Sequence, residues 1–133
     1  MKVIIADDAP MIRKRIRAIV MDNAEKAEVR EADNGLIALH MIWHDAPDLV
    51  ILDIRMPVLN GIDVLARIKE MGVHTEVCIL TSYSFQQYRE KCHALGAAYF
   101  LDKNMEFGRI QEIIRSYNDP GNRTFMHSKR VFV

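Results

Sequence analysis

The chain has 133 residues, half of them hydrophobic, which is enough for one compact domain and too few for two ordinary ones. With 18 basic and 18 acidic side chains the net charge is zero, which excludes a global field that attracts nucleic acid, an anionic membrane or acidic substrates. No signal-like start and no apolar run of about 20 residues are present, so we expect a cytoplasmic protein that does not enter a membrane.

The first two predicted strands each come before a helix. The apolar run Val3–Ala6 ends at two acids, Asp7 and Asp8, and Pro10 suits the first turn of an amphipathic helix. The basic residues of that helix are typical of a solvated face. A weaker strand over Ala27–Ala32 ends in a turn at residues 33–35, because Asp-Asn-Gly is a strong turn sequence.

The second helix, predicted over Leu36–His44, is apolar on more than one face. Its core face is predicted to comprise Ala38, Leu39 and Ile42. Its other apolar residues are either scattered surface side chains or a partner or homodimer surface, the residues concerned being Ile37, Met41 and Trp43. His40 and His44 have a spacing that could present two zinc ligands, but no third ligand follows at a suitable spacing.

The third strand is a continuous apolar run, Leu49–Leu52, that delivers a carboxylate, Asp53, to its end and is stopped by Pro57. Unalternated Leu, Val and Ile indicate a strand that is covered on both faces, as in the middle of a parallel sheet. An unpartnered carboxylate inside that layer would cost several kcal/mol, so Asp53 must mark the end of the strand or be neutralised by other groups.

The rest of the chain repeats the strand-helix pattern. Asn60 is predicted to cap a helix that Gly72 ends, and the next strand ends at Thr81. A helix is then predicted over Phe85–Leu95 and a last strand over Ala97–Leu101, which is followed by Asp102 and Lys103. The apolar face of the final helix comprises Phe107, Ile110, Ile113, Ile114 and Tyr117. We expect one domain over residues 1–118 and a tail over residues 119–133 that forms no separate domain.

This alternation predicts an α/β fold in which five parallel strands are clothed by helices on both sides. The carboxyl ends of parallel strands share one edge, so Asp7, Asp8, Asp53, Thr81 and Lys103 are expected to meet there. Clustered carboxylates repel each other, and a hard divalent cation that prefers oxygen ligands, Mg²⁺, resolves the conflict. A carboxylate beside Mg²⁺ can attack phosphorus and form an acyl phosphate, with an ammonium group and a hydroxyl stabilising the transferred group.

The same residues resemble the receiver domain of two-component response regulators. The resemblance covers about residues 1–118 and rests on the acidic pair after the first strand, the sequence LDIRMPVLNG around Asp53, Thr-Ser after the fourth strand and GAAYFLDK at the fifth. It implies a flavodoxin-like, doubly wound, five-stranded parallel sheet in the order 2-1-3-4-5 with five helices. This strand order comes from the resemblance and not from the spacing of the elements.

The resemblance also implies a role for each site residue. Asp53 would be the phospho-acceptor, and the Mg²⁺ ligands would be Asp7, Asp8, Asp53 and the backbone carbonyl of Arg55. Thr81 and Lys103 would contact the phosphoryl group. Phe100 stands where the family keeps an aromatic switch that is coupled to Thr81, and the readout surface would comprise the fourth helix, the fifth strand and the fifth helix.

One residue departs from the family pattern. The family usually places a proline with a cis peptide bond after the lysine, whereas Asn104 follows Lys103 here. A cis bond before a residue other than proline costs roughly 3 kcal/mol, so we predict a trans bond. We also predict that Asn104 caps the last helix.

The function that follows is a phosphorylation-activated signalling switch of a two-component system or phosphorelay. Its partners would be a sensor histidine kinase or a histidine phosphotransfer protein and a downstream protein target, without direct binding of nucleic acid. We expect no enzyme activity beyond weak self-phosphorylation and self-dephosphorylation. Two alternatives stay open: the chain is the receiver of a longer DNA-binding or enzymatic regulator, or it is a Mg²⁺-dependent phosphatase that forms an aspartyl-phosphate. The second lacks its expected D-x-D motif, because Arg55 stands two positions after Asp53.

Overall fold

The computed structural model describes residues 1–118, and the predicted tail, residues 119–133, lies outside the described residues. Five strands alternate with five helices along this part of the chain. The strands are β1 (Lys2–Ala6), β2 (Glu28–Ala32), β3 (Leu49–Leu52), β4 (Glu76–Thr81) and β5 (Tyr99–Asp102). The helices are α1 (Pro10–Asn23), α2 (Gly35–Asp45), α3 (Gly61–Met71), α4 (Gln86–Ala94) and α5 (Arg109–Asn118).

All strand pairs are parallel, and the order β2-β1-β3-β4-β5 is the order that the family resemblance implied. The chain therefore reverses its direction of winding after β2, between β1 and β3. In open parallel sheets the crevice outside the carboxyl ends of the strands at such a reversal is where ligands bind. The pairing register brings the ends of β1 and β3 side by side, with Ala6 opposite Leu52.

The sheet carries a hydrophobic core on each face, as continuous apolar strands require. Alternate strand residues, such as Ile5 and Ile51, pack with α1 and α5 on one side. Their neighbours, such as Ile4 and Val50, pack with α2, α3 and α4 on the other side. Cys78 and Cys92 are buried free thiols within these cores.

Local signals define several helix ends. The side chain of Asn60 accepts a hydrogen bond from the backbone N–H of Asp63 at 2.9 Å, and Gly72 ends α3 in the left-handed conformation, so both predictions are confirmed. Asn34, which was predicted only as part of a turn, caps α2 in the same way. In α2, Ala38 and Ile42 are buried as predicted, whereas Leu39 is only partly buried.

Of the two predictions for Asn104, the one for its peptide bond is confirmed and the one for helix capping is wrong. The Lys103–Asn104 peptide bond is trans, as expected. Asn104 does not cap the last helix, because α5 begins only at Arg109 and turns occupy the intervening residues. These turns form because the carboxylate of Asp102 accepts the backbone N–H of Asn104, and the Asp102 carbonyl accepts that of Glu106 at 2.9 Å. Within residues 1–118, none of the helices is long and apolar enough to cross a bilayer.

Candidate functional site

Three carboxylates meet at the carboxyl edge of the sheet. Asp7 directly follows β1, Asp53 directly follows β3, and the backbone N–H of Asp53 donates to the carbonyl of Ala6 at 2.9 Å. One carboxylate oxygen from each of Asp7, Asp8 and Asp53 lies within 4.8 Å of the others. Asp7 and Asp53 are only 1% and 5% exposed, whereas Asp8 is exposed to solvent. The parallel-strand topology thus converts acids that are distant in sequence into one cluster.

The first member of the cluster is held from several directions. Asp7 accepts the backbone N–H of Ala9 on Oδ1 at 2.9 Å, while its carbonyl accepts Nη1 of Arg13 at 2.8 Å. Arg13 is fixed in turn by Glu31 on β2 at 3.0 Å. In the sequence Arg13 is one of several basic residues on a helix face predicted to be solvated, since nothing in helical spacing indicates which basic residue turns towards the strand end.

Asp53 has both carboxylate oxygens engaged. Its Oδ1 accepts the backbone N–H of Ile54 at 2.8 Å, and its Oδ2 lies 2.9 Å from Nζ of Lys103. Behind it, α3 starts so close that a Cβ on Gly61 would lie 2.1 Å from the Asp53 carbonyl oxygen. A glycine is therefore required at this position, and the close packing fixes the backbone that carries Asp53.

Lys103 bridges two of the acids. Its Nζ lies 2.7 Å from Oδ2 of Asp7 and 2.9 Å from Oδ2 of Asp53, and its side chain is 13% exposed. Burial raises the pKa of Asp53, and the Asp7 charge adds to this, whereas the Lys103 ammonium opposes it without reversing it. Burial alone would lower the pKa of Lys103, but its hydrogen bonds and ion pairs with Asp7 and Asp53 raise it overall. Lys103 is therefore a fixed cation of the site.

Thr81 ends β4 beside this group. It is fully buried, its carbonyl accepts the backbone N–H of Lys103 at 2.9 Å, and its Oγ1 accepts the backbone N–H of Tyr83 at 3.0 Å. The hydroxyl hydrogen of Thr81 is consequently still available to a further acceptor. Over the neighbouring surface the guanidinium of Arg55 lies 4.4 Å from the centre of the Tyr83 ring.

Phe100 lies on β5 opposite Ile79 and is 1% exposed. The guanidinium of Arg89, on α4, lies 4.7 Å from the centre of its ring. Phe100 is therefore in contact with α4, the helix that follows the loop after Thr81. Since it has no hydroxyl, the Phe100 side chain interacts with its surroundings only through packing and through the contact of its ring with Arg89.

The cluster fits a hard divalent cation. Its three carboxylates and one ammonium group leave a residual formal charge of −2, which one Mg²⁺ would balance. All donors are oxygens, and one of the acids is exposed, which leaves room for the water ligands that Mg²⁺ retains. Among residues 1–118 this is the only such cluster of His, Cys, Asp or Glu, so His40 and His44 are not joined by a third ligand.

Comparison with known proteins gives a consistent result. Residues 3–115 match the family model described as the response regulator receiver domain. A Pseudomonas aeruginosa protein is 39% identical over 109 residues, which cover 82% of this chain and 52% of that protein. The virulence regulator BvgA of Bordetella pertussis is 35% identical over 77% of this chain and 49% of its own length. The chain thus spans about half the length of these curated relatives.

Other proteins match over nearly their whole length. Sporulation initiation phosphotransferase F of Bacillus subtilis is 31% identical over 116 residues, which cover 87% of this chain and 92% of that protein. Among solved structures, the receiver domain of the Francisella response regulator 1452 superposes with a TM-score of 0.77 and 28% identity. That superposition covers 92% of this chain and 98% of the other.

Proposed function

The chain belongs to the response regulator receiver domain family, and from this membership we propose that it is a phosphorylation-activated switch of a two-component system with Asp53 as its phospho-acceptor. The observation that carries the proposal is the position of Asp53, which is buried at the end of β3 within one group that also holds two further carboxylates and Lys103. A histidine kinase or a histidine phosphotransfer protein would supply the phosphoryl group, and a downstream protein would bind the phosphorylated form.

In the proposed metal site Asp7, Asp8, Asp53 and the backbone carbonyl of Arg55 would hold Mg²⁺, with water as the remaining ligands. The bound ion would neutralise charge on the transferring phosphoryl group. The chain's contribution is to hold the carboxylates in place before the ion arrives. Asp7 does this through Ala9 and Arg13, and Asp53 through Ile54 and the close approach of α3.

In the proposed transfer an oxygen of the ionised Asp53 carboxylate forms a bond to phosphorus. The bond between phosphorus and the donor group breaks, and its electron pair leaves with the donor. Lys103, which already lies 2.9 Å from Asp53, then interacts with the transferred oxygens, and the free hydroxyl hydrogen of Thr81 donates to one of them. Electrostatic positioning of this kind accounts for most of the catalysis of phosphoryl transfer. We expect slow hydrolysis afterwards and no other turnover.

The proposed readout surface comprises α4, β5 and α5, with Phe100 beneath α4. Phosphorylation replaces the single charge of Asp53 by nearly two charges and adds strong acceptors. A shift of Thr81 towards these acceptors would act on the loop that leads into α4, and Arg89 and Phe100 connect that helix to β5. This part of the surface also carries the exposed side chains of Phe85 and Met105.

A cytoplasmic location is part of the same proposal. It is supported by the two free buried thiols, since intracellular proteins keep cysteines reduced. The alternative that the chain is the receiver of a longer regulator is favoured by the relatives of which it spans about half. The length of the natural gene product distinguishes that alternative from a stand-alone receiver.

The direct test is incubation with radiolabelled acetyl phosphate and Mg²⁺. The wild-type chain should be labelled at Asp53, Asp53→Asn should take up no label, and EDTA should prevent labelling. Asp22→Asn is the matched control, because Asp22 is an exposed carboxylate on α1 outside the site, and it should be labelled like the wild type. Full labelling of Asp53→Asn would refute the assignment, and rapid turnover of a phosphate ester would favour the phosphatase alternative.

A further inference from the structure

A hydrogen bond joins the two loops that carry Thr81 and Lys103. The Oγ of Ser84, in the loop between β4 and α4, donates to Oδ2 of Asp102, the last residue of β5. Ser84 stands three residues after Thr81 and Asp102 directly before Lys103, so each end of the bond lies close in sequence to a residue of the proposed phosphoryl site. Neither Ser84 nor Asp102 was identified as a site residue from the sequence.

The other carboxylate oxygen of Asp102 organises the turn after Lys103. Oδ1 accepts the backbone N–H of Asn104 at 2.7 Å and that of Met105 at 3.0 Å. The Ser84 hydroxyl is the main cause that lowers the pKa of Asp102, and the two backbone groups add to it, so the carboxylate is held in its charged form. The two carboxylate oxygens of Asp102 thus link one loop to the other, and Asp102 is not part of the metal cluster.

The geometry of both site residues depends on these loops. Thr81 and Asp102 are partners in the β4–β5 register, and the backbone N–H of Lys103 donates to the carbonyl of Thr81 at 2.9 Å. Two residues after Thr81, the backbone N–H of Tyr83 donates a hydrogen bond to the Thr81 hydroxyl oxygen at 3.0 Å. A displacement of the loop at Ser84 would therefore alter the direction of the Thr81 hydroxyl.

We propose that Asp102 is a positioning residue that, through Ser84 and the turn after Lys103, holds Thr81 and Lys103 in the relative arrangement needed to receive the phosphoryl group. This proposal rests on the proposed function, because it assigns Asp102 a part in the same transfer. Asp102 touches neither the acceptor nor the phosphoryl group and acts through its neighbours.

The departure of this chain from the family pattern supports the proposal. At the position after the lysine, where the family usually has a proline, Asn104 has a backbone N–H, and it is this group that Asp102 accepts. A proline restricts the backbone by its ring, whereas here the same segment is restricted by a carboxylate that accepts two consecutive backbone N–H groups. The carboxylate that restricts the turn is the same group that binds Ser84.

The anchoring of α4 supports it as well. Cys92 is the only fully buried residue of α4, and the helix begins without a side-chain cap. Its first half is linked to β5 by the contact of Arg89 with Phe100 and, just before the helix, by the bond between Ser84 and Asp102. Loss of that bond should loosen the start of the helix as well as the loop after Thr81.

The test compares the rate of Asp53 labelling by acetyl phosphate at saturating Mg²⁺ in single and double variants. Ser84→Ala should be labelled about tenfold more slowly than the wild type, since small displacements of positioning groups reduce rates strongly. Ser84→Thr, which retains the hydroxyl, should restore the rate. Asp102→Ala should be slower still, and adding Ser84→Ala to it should cause no further loss, because the bond between the two residues is already absent.

Two controls separate positioning from folding. Ser82→Ala removes an exposed hydroxyl from the same loop, and Asn104→Ala keeps the backbone N–H that Asp102 accepts; both should be labelled like the wild type. Amide hydrogen exchange without any phosphoryl donor should be faster in Ser84→Ala at residues 82–89 than in the wild type. The hydrogen-exchange measurement requires neither phosphorylation of the protein nor a stably folded Asp102→Ala variant.

The outcomes are distinguishable. Wild-type labelling at Asp53 with an unchanged rate in Ser84→Ala would overturn the role of Asp102, even if that variant melted at a lower temperature. If the wild type took up no label, the proposed function would fail and this inference with it. A slow rate in Ser84→Ala that Ser84→Thr does not restore would also contradict the proposal.

Discussion

The charge of Asp53 should destabilise the folded chain when no metal is bound. The Lys103 ammonium at 2.9 Å contributes about 6 kcal/mol of attraction at an effective dielectric constant of about 20. Repulsion from Asp7, whose oxygen lies within 4.8 Å, is at least about 3.5 kcal/mol on the same scale. Burial of an ionised carboxylate costs several kcal/mol more. The balance is unfavourable, which agrees with the raised pKa of Asp53, because a carboxyl with a raised pKa favours its neutral form in the folded state.

Asp53→Asn replaces this charge by a neutral amide of almost the same shape. The variant can still accept the Ile54 N–H on its Oδ1, and Lys103 keeps its ion pair with Asp7. We therefore expect Asp53→Asn to be about 1–2 kcal/mol more stable than the wild type at pH 7 in EDTA, which raises Tm by about 4–8 °C. The measurement is thermal unfolding followed by circular dichroism or calorimetry.

Mg²⁺ should reverse the order of the two Tm values, so that the wild type melts at a higher temperature than Asp53→Asn. Binding to the folded wild-type chain stabilises it in proportion to the logarithm of the ratio of ion concentration to Kd, and the Asn variant lacks one of the carboxylates that bind the ion. Asp22→Asn, on the exposed surface of α1, should have the wild-type Tm under both conditions. A lower Tm for Asp53→Asn than for the wild type in EDTA would refute the reasoning, because it would mean that the ion pair outweighs repulsion and burial.

Three further predictions concern packing, thiol reactivity and pH. Gly35→Ala places a Cβ 1.9 Å from a backbone oxygen of the loop before α3, so urea unfolding should show a loss of about 1–3 kcal/mol, whereas Gly108→Ala, with no atom within 4 Å of the new Cβ, should lose far less. Burial raises the pKa of Cys78 to about 12 and that of Cys92 to about 11, so neither thiol should react with iodoacetamide at pH 8 until urea unfolds the chain; rapid alkylation of the native protein would contradict this. Burial alone would raise the pKa of Glu31, but two arginines of α1 lower it overall, so its contribution to stability is present above its ordinary pKa of 4.5 and is lost as the pH falls through the lowered value. Glu31→Gln should accordingly melt below the wild type at pH 7, with the difference shrinking below pH 4.5, and a difference independent of pH would exclude the ionic explanation.

The fold was predictable where periodicity and topology leave few choices. A continuous apolar run such as Leu49–Leu52 indicates a strand covered on both faces, and the structure buries all of it. Alternation with amphipathic helices then requires parallel pairing, as observed. The strand order did not follow from these patterns, because several orders satisfy right-handed crossovers; it came from the family resemblance.

The acidic group of the site was also predictable, because the carboxyl ends of parallel strands share an edge. That rule predicts from the sequence that five residues at the strand ends lie close together, namely Asp7, Asp8, Asp53, Thr81 and Lys103. Contacts such as Arg13 with the Asp7 carbonyl and Ser84 with Asp102 could not be predicted. They depend on side-chain directions in loops and on pairs that are distant in sequence, which neither spacing nor propensity determines.

The error at Asn104 has the same origin. Asparagine is a good N-cap, and a helical pattern follows it, so a cap was the best interpretation of the local sequence. The structure instead uses Asp102, two residues before Asn104, because its carboxylate accepts the backbone N–H groups of Asn104 and Met105 and thereby favours a turn over an immediate helix start. Asn104 is a residue type that caps helices well, but the hydrogen bonds to the neighbouring Asp102 carboxylate determine the local conformation.

The ion pairs of Lys103 connect the instability of the resting site to its proposed use. In the resting chain one ammonium group serves both Asp7 and Asp53, so neither carboxylate has a cation of its own. Phosphorylation would move the negative charge of Asp53 outwards onto the phosphoryl oxygens and nearly double it. Lys103 can follow that charge only by side-chain rotation, since its backbone is hydrogen-bonded to Thr81 and followed by the turn that Asp102 holds. Strain at the site would therefore be relieved through the Lys103 side chain, while its fixed backbone keeps Thr81 within reach of the same oxygens.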